Sequence, residues 1–198
     1  MKRFISILSA ILLLSAVVFA DDYDEGDEYD DGFVYEQNGA GDQFLKVDLG
    51  ANFPLNFESQ LYVGGLVTVG YYRFLNQYFA VGGDVLISYN LSIGKKQLFE
   101  VPFTFGVMFQ PYVGKFEFPL ILDVGFATIS CQSMTYFPAL AAKFTGGAFY
   151  RINETWSFGI TSNSYWVPQF FLLDDETRGH KTNHGFFTSA CASVRYHF

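Results

Sequence analysis

Bulky apolar side chains alternate with small or polar ones through most of the chain after position 42. In the stretch 99–109 every odd position is phenylalanine or valine, and the even positions are Glu, Pro, Thr, Gly and Met. Successive side chains of a β-strand point to opposite faces of a sheet. The alternation therefore predicts strands with one bulky apolar face and one small or polar face.

Eight segments of this kind, each of roughly 10–13 residues, follow one another along the chain. They occupy positions 44–53, 61–73, 78–90, 99–109, 116–129, 142–151, 156–167 and 186–198. The connections alternate in length, the short ones being 74–77, 111–115 and 153–155 and the longer ones 54–60, 91–98, 130–141 and 168–185. This layout predicts antiparallel neighbours, with all the short turns on one side of the sheet.

After position 20 no apolar run reaches the ~20 residues that a membrane-spanning helix needs. In lipid, strands can satisfy all their backbone groups only in a closed barrel. The interior of an eight-stranded barrel is just wide enough for side chains, so the bulky apolar set must face outward and the polar set inward. This is the reverse of a lipocalin-like soluble barrel. The fold class predicted for 43–198 is all-β, an eight-stranded antiparallel transmembrane β-barrel with short periplasmic turns and longer extracellular loops.

Two segments precede the predicted barrel. Positions 1–20 combine Lys2 and Arg3, an apolar run and a terminal Ala20, which is typical of a cleaved secretory signal peptide; an uncleaved anchor is the alternative. Positions 21–42 hold ten of the 20 acidic residues and no basic one, which favours an acidic disordered segment. Together with the barrel, these features predict export to a bacterial outer membrane.

Charged side chains fall on the predicted inner face. They are Lys46, Asp48, Asp84, Glu100, Glu117, Asp123, Lys143, Arg151 and Arg195, with His197 beside them. Both signs occur in similar number, so the charges can pair in the lumen, where an unpaired charge would be costly. A gate or narrow ion path is one interpretation, and a plug of salt bridges is the other. Both predict little or no open pore.

Two prolines, Pro102 and Pro119, lie inside the fourth and fifth predicted strands. Proline cannot donate to a strand ladder, and a closed barrel has no edge to accommodate it. One hypothesis is a weakened seam between these strands, through which an apolar molecule passes sideways. A local bulge without transport is the alternative.

Little in the chain indicates chemistry. The last long connection carries His180, His184 and three acids, but no catalytic serine motif accompanies them, and an EF-hand alignment from Asp27 fails at its third and twelfth positions. We therefore predict no catalytic residue, no metal, no cofactor and no nucleic-acid partner. Cys131, in a predicted loop, and Cys191, in the last strand, form either a disulfide or two free thiols.

Aromatic residues gather near the strand ends on the predicted periplasmic side. They are Tyr71, Tyr72, Tyr78, Phe109, Tyr112, Tyr150, Trp156, Tyr196 and Phe198. Such a girdle is expected at a membrane interface. Tyr196 and Phe198 also end the last strand, where outer-membrane barrels carry the signal for the barrel-assembly machinery.

Three elements of 43–198 resemble the superfamily of small outer-membrane barrels that includes the OmpX and OmpW-type proteins. They are the hairpin sequences VGYYRF (69–74) with FAVGGD (79–84), GAFYR (147–151) with WSFG (156–159), and the final YHF. The resemblance implies one of three roles: a non-enzymatic structural or surface-interaction protein, a conduit for small hydrophobic solutes, or a lipid-modifying enzyme. We expect the first, with lipid and a surface ligand of the long loops as partners. The conduit, with lateral exit near Pro102 and Pro119, is the alternative. The enzyme is the third possibility, and its catalytic residues are not found here.

Overall fold

In the computed structural model the described residues, 36–56, 61–92, 94–131, 134–169 and 183–198, contain eight long β-strands and two short ones. The long strands are β1 Gln43–Pro54, β2 Gly64–Phe74, β3 Phe79–Leu91, β4 Gln97–Phe109, β7 Leu120–Cys131, β8 Met134–Arg151, β9 Trp156–Gln169 and β10 Asn183–His197. The short ones are β5 Tyr112–Val113 and β6 Phe116–Glu117. Within this part of the chain, no helix is long and apolar enough to cross a membrane. The predicted signal peptide and positions 21–35 lie outside the described residues.

The long strands close into a barrel. Each pairs antiparallel with the next in the order β1–β2–β3–β4–β7–β8–β9–β10, and β10 pairs with β1. The ladder that starts at Phe44 passes once around the barrel and returns to β1 at Pro54, a displacement of 54 − 44 = 10 residues. Such a displacement requires strands that are strongly tilted from the barrel axis. The predicted all-β, eight-stranded barrel is confirmed.

Side chains alternate between the interior and the outer surface as the sequence predicts. In β4, Phe103 is 46% exposed and its neighbour Thr104 is 1% exposed. The outer surface is built mainly from phenylalanine, valine and leucine, and the interior from polar residues with a few apolar ones. Tyr72 is an exception to the predicted aromatic girdle, because it is fully buried inside the barrel.

The two ends of the barrel differ in their connections. At one end, called here the turn end, β1 begins, β10 ends, and tight turns join β2 to β3 and β8 to β9. In both turns an asparagine, Asn76 or Asn153, accepts two backbone N–H bonds through Oδ1 at 2.8–2.9 Å. Between β4 and β7 at this end, the β5–β6 hairpin turns at Gly114, whose φ is 56°. The opposite end is called the loop end.

One predicted boundary at the loop end is wrong. Positions 130–141 are predicted as a long loop, but β7 continues to Cys131 and β8 begins at Met134, with these two residues paired. Between Ala127 and Ile129 a bulge shifts the register, so that Phe137 and Pro138 of β8 both lie opposite Thr128. A bulge relieves the ladder where a proline cannot donate, so Pro138 does not end the strand. Cys131 therefore lies at a strand end, and the thiols of Cys131 and Cys191 are both free.

Candidate functional site: the barrel lumen

An ion-pair network crosses the middle of the lumen. Lys143 pairs with Asp84, and its Nζ lies 3.1 Å from Asp123 Oδ2. On the opposite wall, Lys46 Nζ lies 3.0 Å from Asp48 Oδ2 and 4.0 Å from Asp84 Oδ2. These five side chains come from β1, β3, β7 and β8, and each is at most 5% exposed as a residue. Buried charges of both signs thus offset one another across the barrel.

Two hydroxyl groups also donate hydrogen bonds to the carboxylate of Asp84. Thr104 Oγ1 donates to Asp84 Oδ1 at 2.9 Å, and Tyr72 OH donates to Asp84 Oδ2 at 3.3 Å. Tyr72 is therefore part of the lumen network, and sequence reasoning missed this role. The signal was present, because Tyr72 is an even-numbered residue of β2 like the inward Thr68 and Gly70.

A second charged layer closes the turn end. Glu117 lies between two arginines, with Arg195 Nη1 3.3 Å from Oε2 and Arg151 Nη1 3.4 Å from Oε1. Arg195 also donates to Gln110 Oε1 at 2.7 Å, and its guanidinium stacks 3.7 Å from the ring centroid of Phe149. Since Arg195 is fully buried, its charge depends on these contacts for compensation.

Residues before β1 pack under this layer. Asn38, which is 3% exposed, accepts a hydrogen bond from Arg151 Nη1 through Oδ1 at 2.6 Å. Asp42 O accepts from Phe74 N at 2.8 Å, and Gly41 N donates to Phe74 O at 2.9 Å. Ordered contacts with the barrel thus begin before position 43, inside the segment predicted to be disordered.

A third polar group lies toward the loop end. Tyr165 OH donates to Glu100 Oε2 at 3.1 Å, and Ser88 Oγ donates to the same oxygen at 3.2 Å. Asn52 Nδ2 donates to Tyr165 OH at 2.8 Å and to Asn90 Oδ1 at 2.9 Å. This group of five side chains is called the Glu100 cluster below.

Apolar side chains occupy the spaces between the polar layers. Near the turn end, the buried set is Phe44, Tyr72, Phe74, Ala80, Met108 and Ile121. Around the Glu100 cluster it is Leu66, Leu86, Ala127, Ile129, Ala139, Ala141, Tyr165, Val167, Phe187 and Cys191, which we call the upper apolar cluster. Among the described residues, two apolar sets therefore lie inside the barrel along with the polar layers.

All nine charged residues predicted to face the lumen are buried, and so is His197. The structure brings eight of the nine into ion pairs of 4.0 Å or less, in two separate groups. Glu100 belongs to neither group. His197 contacts Ser157 Oγ through Nε2 at 2.8 Å. Gln110 and Asn38 were missed because both lie outside the segments with period-two alternation.

The two prolines do not share a seam, which corrects the hypothesis of one weak seam between their strands. β4 and β7 pair without a break over twelve residues, from Leu98 to Phe109. The gap at Pro102 lies on the β3 side, where the pairs with Leu86 and Ile87 are missing. The gap at Pro119 lies on the β8 side, between the pairs of Glu117 and Leu120. Each proline lacks the N–H that would face that neighbour.

The aromatic residues that end the chain lie on the outer surface of the turn end. Tyr196 is 41% exposed and packs edge-on against Trp156 at 5.0 Å between ring centroids. Phe198 is 58% exposed and lies 6.4 Å from the ring of Tyr71. Its backbone N–H donates to Gln43 O at 3.0 Å, which continues the pairing of the last strand with the first.

Of the residues considered for chemistry, His184 stacks on Trp166 and accepts a hydrogen bond from Trp166 Nε1 at 3.2 Å. His180 and its three acidic neighbours lie outside the described residues. Within the described ranges no group of three or more His, Cys, Asp or Glu side chains is arranged to hold a metal ion.

The closed barrel of eight long strands, apolar outside and ion-paired inside, defines the class of small eight-stranded outer-membrane β-barrels. A protein-family model matches residues 25–196, and the chain belongs to that uncharacterised family.

The chain has relatives in sequence and, separately, solved structures with the same fold. An uncharacterised protein of Treponema pallidum (strain Nichols) is 32% identical over 96 residues, which are 48% of this chain and 43% of that protein. The chain spans about half the length of the curated relatives it matches. Neisserial surface protein A (NspA) has a TM-score of 0.59 at 9% identity, covering 80% of this chain and 99% of its own. Outer membrane protein OprG from Pseudomonas aeruginosa has a TM-score of 0.55 at 11% identity, and the match covers 82% of this chain and 98% of OprG. At these identities the two structures share only the fold.

Proposed function

We propose that the protein is an integral outer-membrane barrel that acts without enzymatic activity, as a sealed scaffold presenting its loop end to surface partners. The observation that carries this proposal is the set of buried, ion-paired side chains inside the barrel. Two ion-pair layers and two apolar clusters occupy the interior, so an ion would have to displace buried and paired side chains to cross.

The outer surface supports insertion in lipid. Among the long strands, β4 turns only phenylalanine and valine outward over 99–109. Apolar area of this kind is stable in hydrocarbon and would be costly in water. We infer that the turn end faces the periplasm and the loop end faces outside, because small outer-membrane barrels have short periplasmic turns. The signal peptide and export through it belong to the same proposal.

Planar-bilayer conductance of the refolded protein tests the sealed scaffold. After a heat-shifted gel band has verified folding, the wild-type protein is expected to give no discrete channel events. A variant with Asp84→Ala, Asp123→Ala, Lys143→Ala, Glu117→Ala and Arg195→Ala removes the Lys143 pairs of the middle network and the Glu117 pairs of the turn-end layer. It serves as the control that should conduct once the same gel shift has verified its folding. Reproducible channels from the wild-type protein would contradict the proposal.

A second candidate is a conduit for small hydrophobic solutes. The upper apolar cluster favours it, since it places apolar side chains inside the lumen next to the gap at Pro102. A solute entering at the loop end would leave through the β3–β4 seam, and Pro119 has no part in this path. Uptake of a hydrophobic solute into cells tests it, with Ile87→Cys and Val101→Cys linked across the seam. Loss of uptake on oxidation and recovery on reduction would support the conduit, and unchanged uptake would contradict it.

Substitution of His180 and His184 tests the proposal of a non-enzymatic role. A lipid-modifying enzyme would require a catalytic group, and His180 and His184 are the candidates. We expect His180→Ala and His184→Ala to leave the acyl-chain composition of outer-membrane lipids unchanged relative to wild type. An acyl-chain modification that appears with the wild-type protein and disappears with either variant would contradict the non-enzymatic role.

A further inference from the structure

The dipeptide Asn38–Gly39 lies just before β1 at the turn end of the barrel. Asn38 is the one asparagine of the chain that glycine follows directly. The backbone nitrogen of Gly39 and Cγ of Asn38 are four bonds apart, so a bond between them closes a five-membered ring. Glycine has no Cβ to obstruct this approach and leaves the backbone free to turn. At this dipeptide, attack of a backbone nitrogen on a side-chain amide therefore meets the least steric hindrance.

A carboxylate holds the backbone N–H of Gly39. Gly39 N donates to Asp42 Oδ2 at 2.6 Å. The turn is fixed on the barrel, because Asp42 O accepts from Phe74 N at 2.8 Å. An amide N–H lies in the peptide plane, whereas a new bond to the nitrogen forms out of that plane. Asp42 is thus placed to accept the proton as a general base without standing between the nitrogen and Asn38 Cγ.

A guanidinium holds the side-chain carbonyl of Asn38. Arg151 Nη1 donates to Asn38 Oδ1 at 2.6 Å, and Arg151 itself is positioned by Glu117 and by Glu154 O. A cationic donor at a carbonyl oxygen stabilises the negative charge that forms there when a nucleophile attacks. Asn38 is 3% exposed, so little water competes for this oxygen. Asn38 Nδ2 has no hydrogen-bond partner among the described residues, so no such bond must break when it leaves.

We propose that Asn38–Gly39 is a site of self-modification, at which the folded barrel converts Asn38 into a carboxylate. Gly39 N forms a bond to Asn38 Cγ while its proton passes to Asp42, and Arg151 stabilises the oxyanion at Oδ1. The bond from Cγ to Nδ2 then breaks, and Nδ2 takes the proton from Asp42 and leaves as ammonia. Water opens the resulting succinimide ring to aspartate or isoaspartate. Overall one water is consumed and one ammonia is released, without oxidation or reduction.

The product places a negative charge beside the turn-end layer. In that layer Glu117 alone pairs with two arginines, Arg151 and Arg195. A carboxylate at position 38 would offset the second positive charge next to Arg151. The inference goes beyond the sealed scaffold and is independent of it, because no step requires passage of a solute through the barrel.

Mass spectrometry of the refolded full chain in detergent micelles tests the proposal, since replacing the amide by a carboxylate adds one mass unit at position 38. The same chain held in urea gives the rate without the fold. Conversion in the folded barrel is expected to be faster by at least about tenfold, because the fold supplies a base and an oxyanion donor. A rate in the folded barrel equal to or below the rate in urea would overturn the proposal. This comparison uses only the wild-type protein.

Three substitutions assign the roles. Asp42→Asn keeps the shape of the side chain and removes the base, so it should reduce the folded rate to that in urea, with tandem mass spectrometry locating the conversion at position 38. Arg151→Gln should do the same if the heat-shifted gel band shows that it folds. Glu36→Gln removes an exposed carboxylate nearby and should leave the rate unchanged. An unchanged rate in Asp42→Asn would overturn the mechanism, whatever the conductance of the barrel.

Discussion

Lys143 is the basic residue that joins two buried carboxylates, Asp84 and Asp123, in the middle of the lumen. We predict that Lys143→Met destabilises the barrel by about 3–5 kcal/mol, because it leaves these carboxylates buried with a large part of their compensation removed. Urea unfolding in lipid vesicles measures the change. Lys96→Met, the same substitution at an exposed position, should stay within about 0.5 kcal/mol of wild type. A value for Lys143→Met in that same small range would show that the middle ion pairs do not hold the barrel together.

Phe103 lies on the outer surface at the middle of β4 and is 46% exposed. Phe103→Arg places a charge in hydrocarbon and should cost about 2–4 kcal/mol in bilayers. Phe103→Leu keeps an apolar side chain and should cost clearly less. Thr104→Arg should prevent folding for a steric reason, since Thr104 is buried among lumen side chains. If Phe103→Arg leaves the free energy of unfolding in bilayers unchanged, Phe103 does not face lipid.

At the scale of single residues, much of the lumen could be predicted from alternation alone. The nine charged residues are predicted to face inward because each alternates in step with the small or polar residues of its strand. All nine are buried in the structure. Their partners were predictable only in part. Lys143 and Asp123 are ladder partners on neighbouring strands, whereas Lys143 meets Asp84 across the barrel interior. The assignment of Tyr72 to the girdle was wrong because residue type was weighed above strand parity.

At the scale of elements, Pro102 interrupts the β3–β4 ladder opposite Leu86. We predict that Pro102→Val creates an amide that donates to the Leu86 carbonyl and is protected from solvent exchange like its neighbours in β4. Hydrogen exchange followed by NMR in nanodiscs measures this protection. Exchange of the new amide as fast as that of the turn residue Asn153 would contradict the assignment of the gap.

Strand boundaries were the least predictable part of the elements. Positions 130–141 are predicted as a loop, whereas β8 begins at Met134 and continues through Pro138. The bulge between Ala127 and Ile129 makes this possible, and a bulge leaves no clear mark in the local sequence. The seam through both prolines failed for a related reason, because sequence alone does not tell which neighbour a strand N–H faces.

The end of the last strand leads to a prediction about assembly of the barrel in the outer membrane. We propose that Tyr196 and Phe198 are recognised by the barrel-assembly machinery, and we expect Phe198→Ala to lower the amount of folded barrel in a diderm host several-fold. Refolding into detergent should be nearly unaffected, because Phe198 contributes exposed area at the rim. Phe53→Ala, at the loop end of the outer surface, is the control and should affect neither. An equal loss for both variants in cells would exclude a specific signal at Phe198.

At the scale of the whole molecule, strand number, antiparallel order and the apolar outer face all follow from period-two alternation and connection lengths. The displacement of ten residues around the barrel does not, because register depends on pairs between strands that are distant in sequence. The contacts of Asn38 with the turn-end layer likewise depend on the closed barrel. Sequence therefore predicts the architecture, and the closed structure determines which lumen groups meet.

The central claim is a closed barrel with its apolar face in lipid and its polar face inside. Methyl NMR of the protein in nanodiscs containing a chain-labelled paramagnetic lipid tests this claim without any substitution. Leu122 is 60% exposed and its neighbour Ile121 is 1% exposed, while Val69 and Leu66 in β2 are 50% and 2% exposed. The account predicts that the methyl signals of Leu122 and Val69 broaden and that those of Ile121 and Leu66 remain sharp. Equal broadening of each pair, or broadening of the inward residues alone, would contradict it.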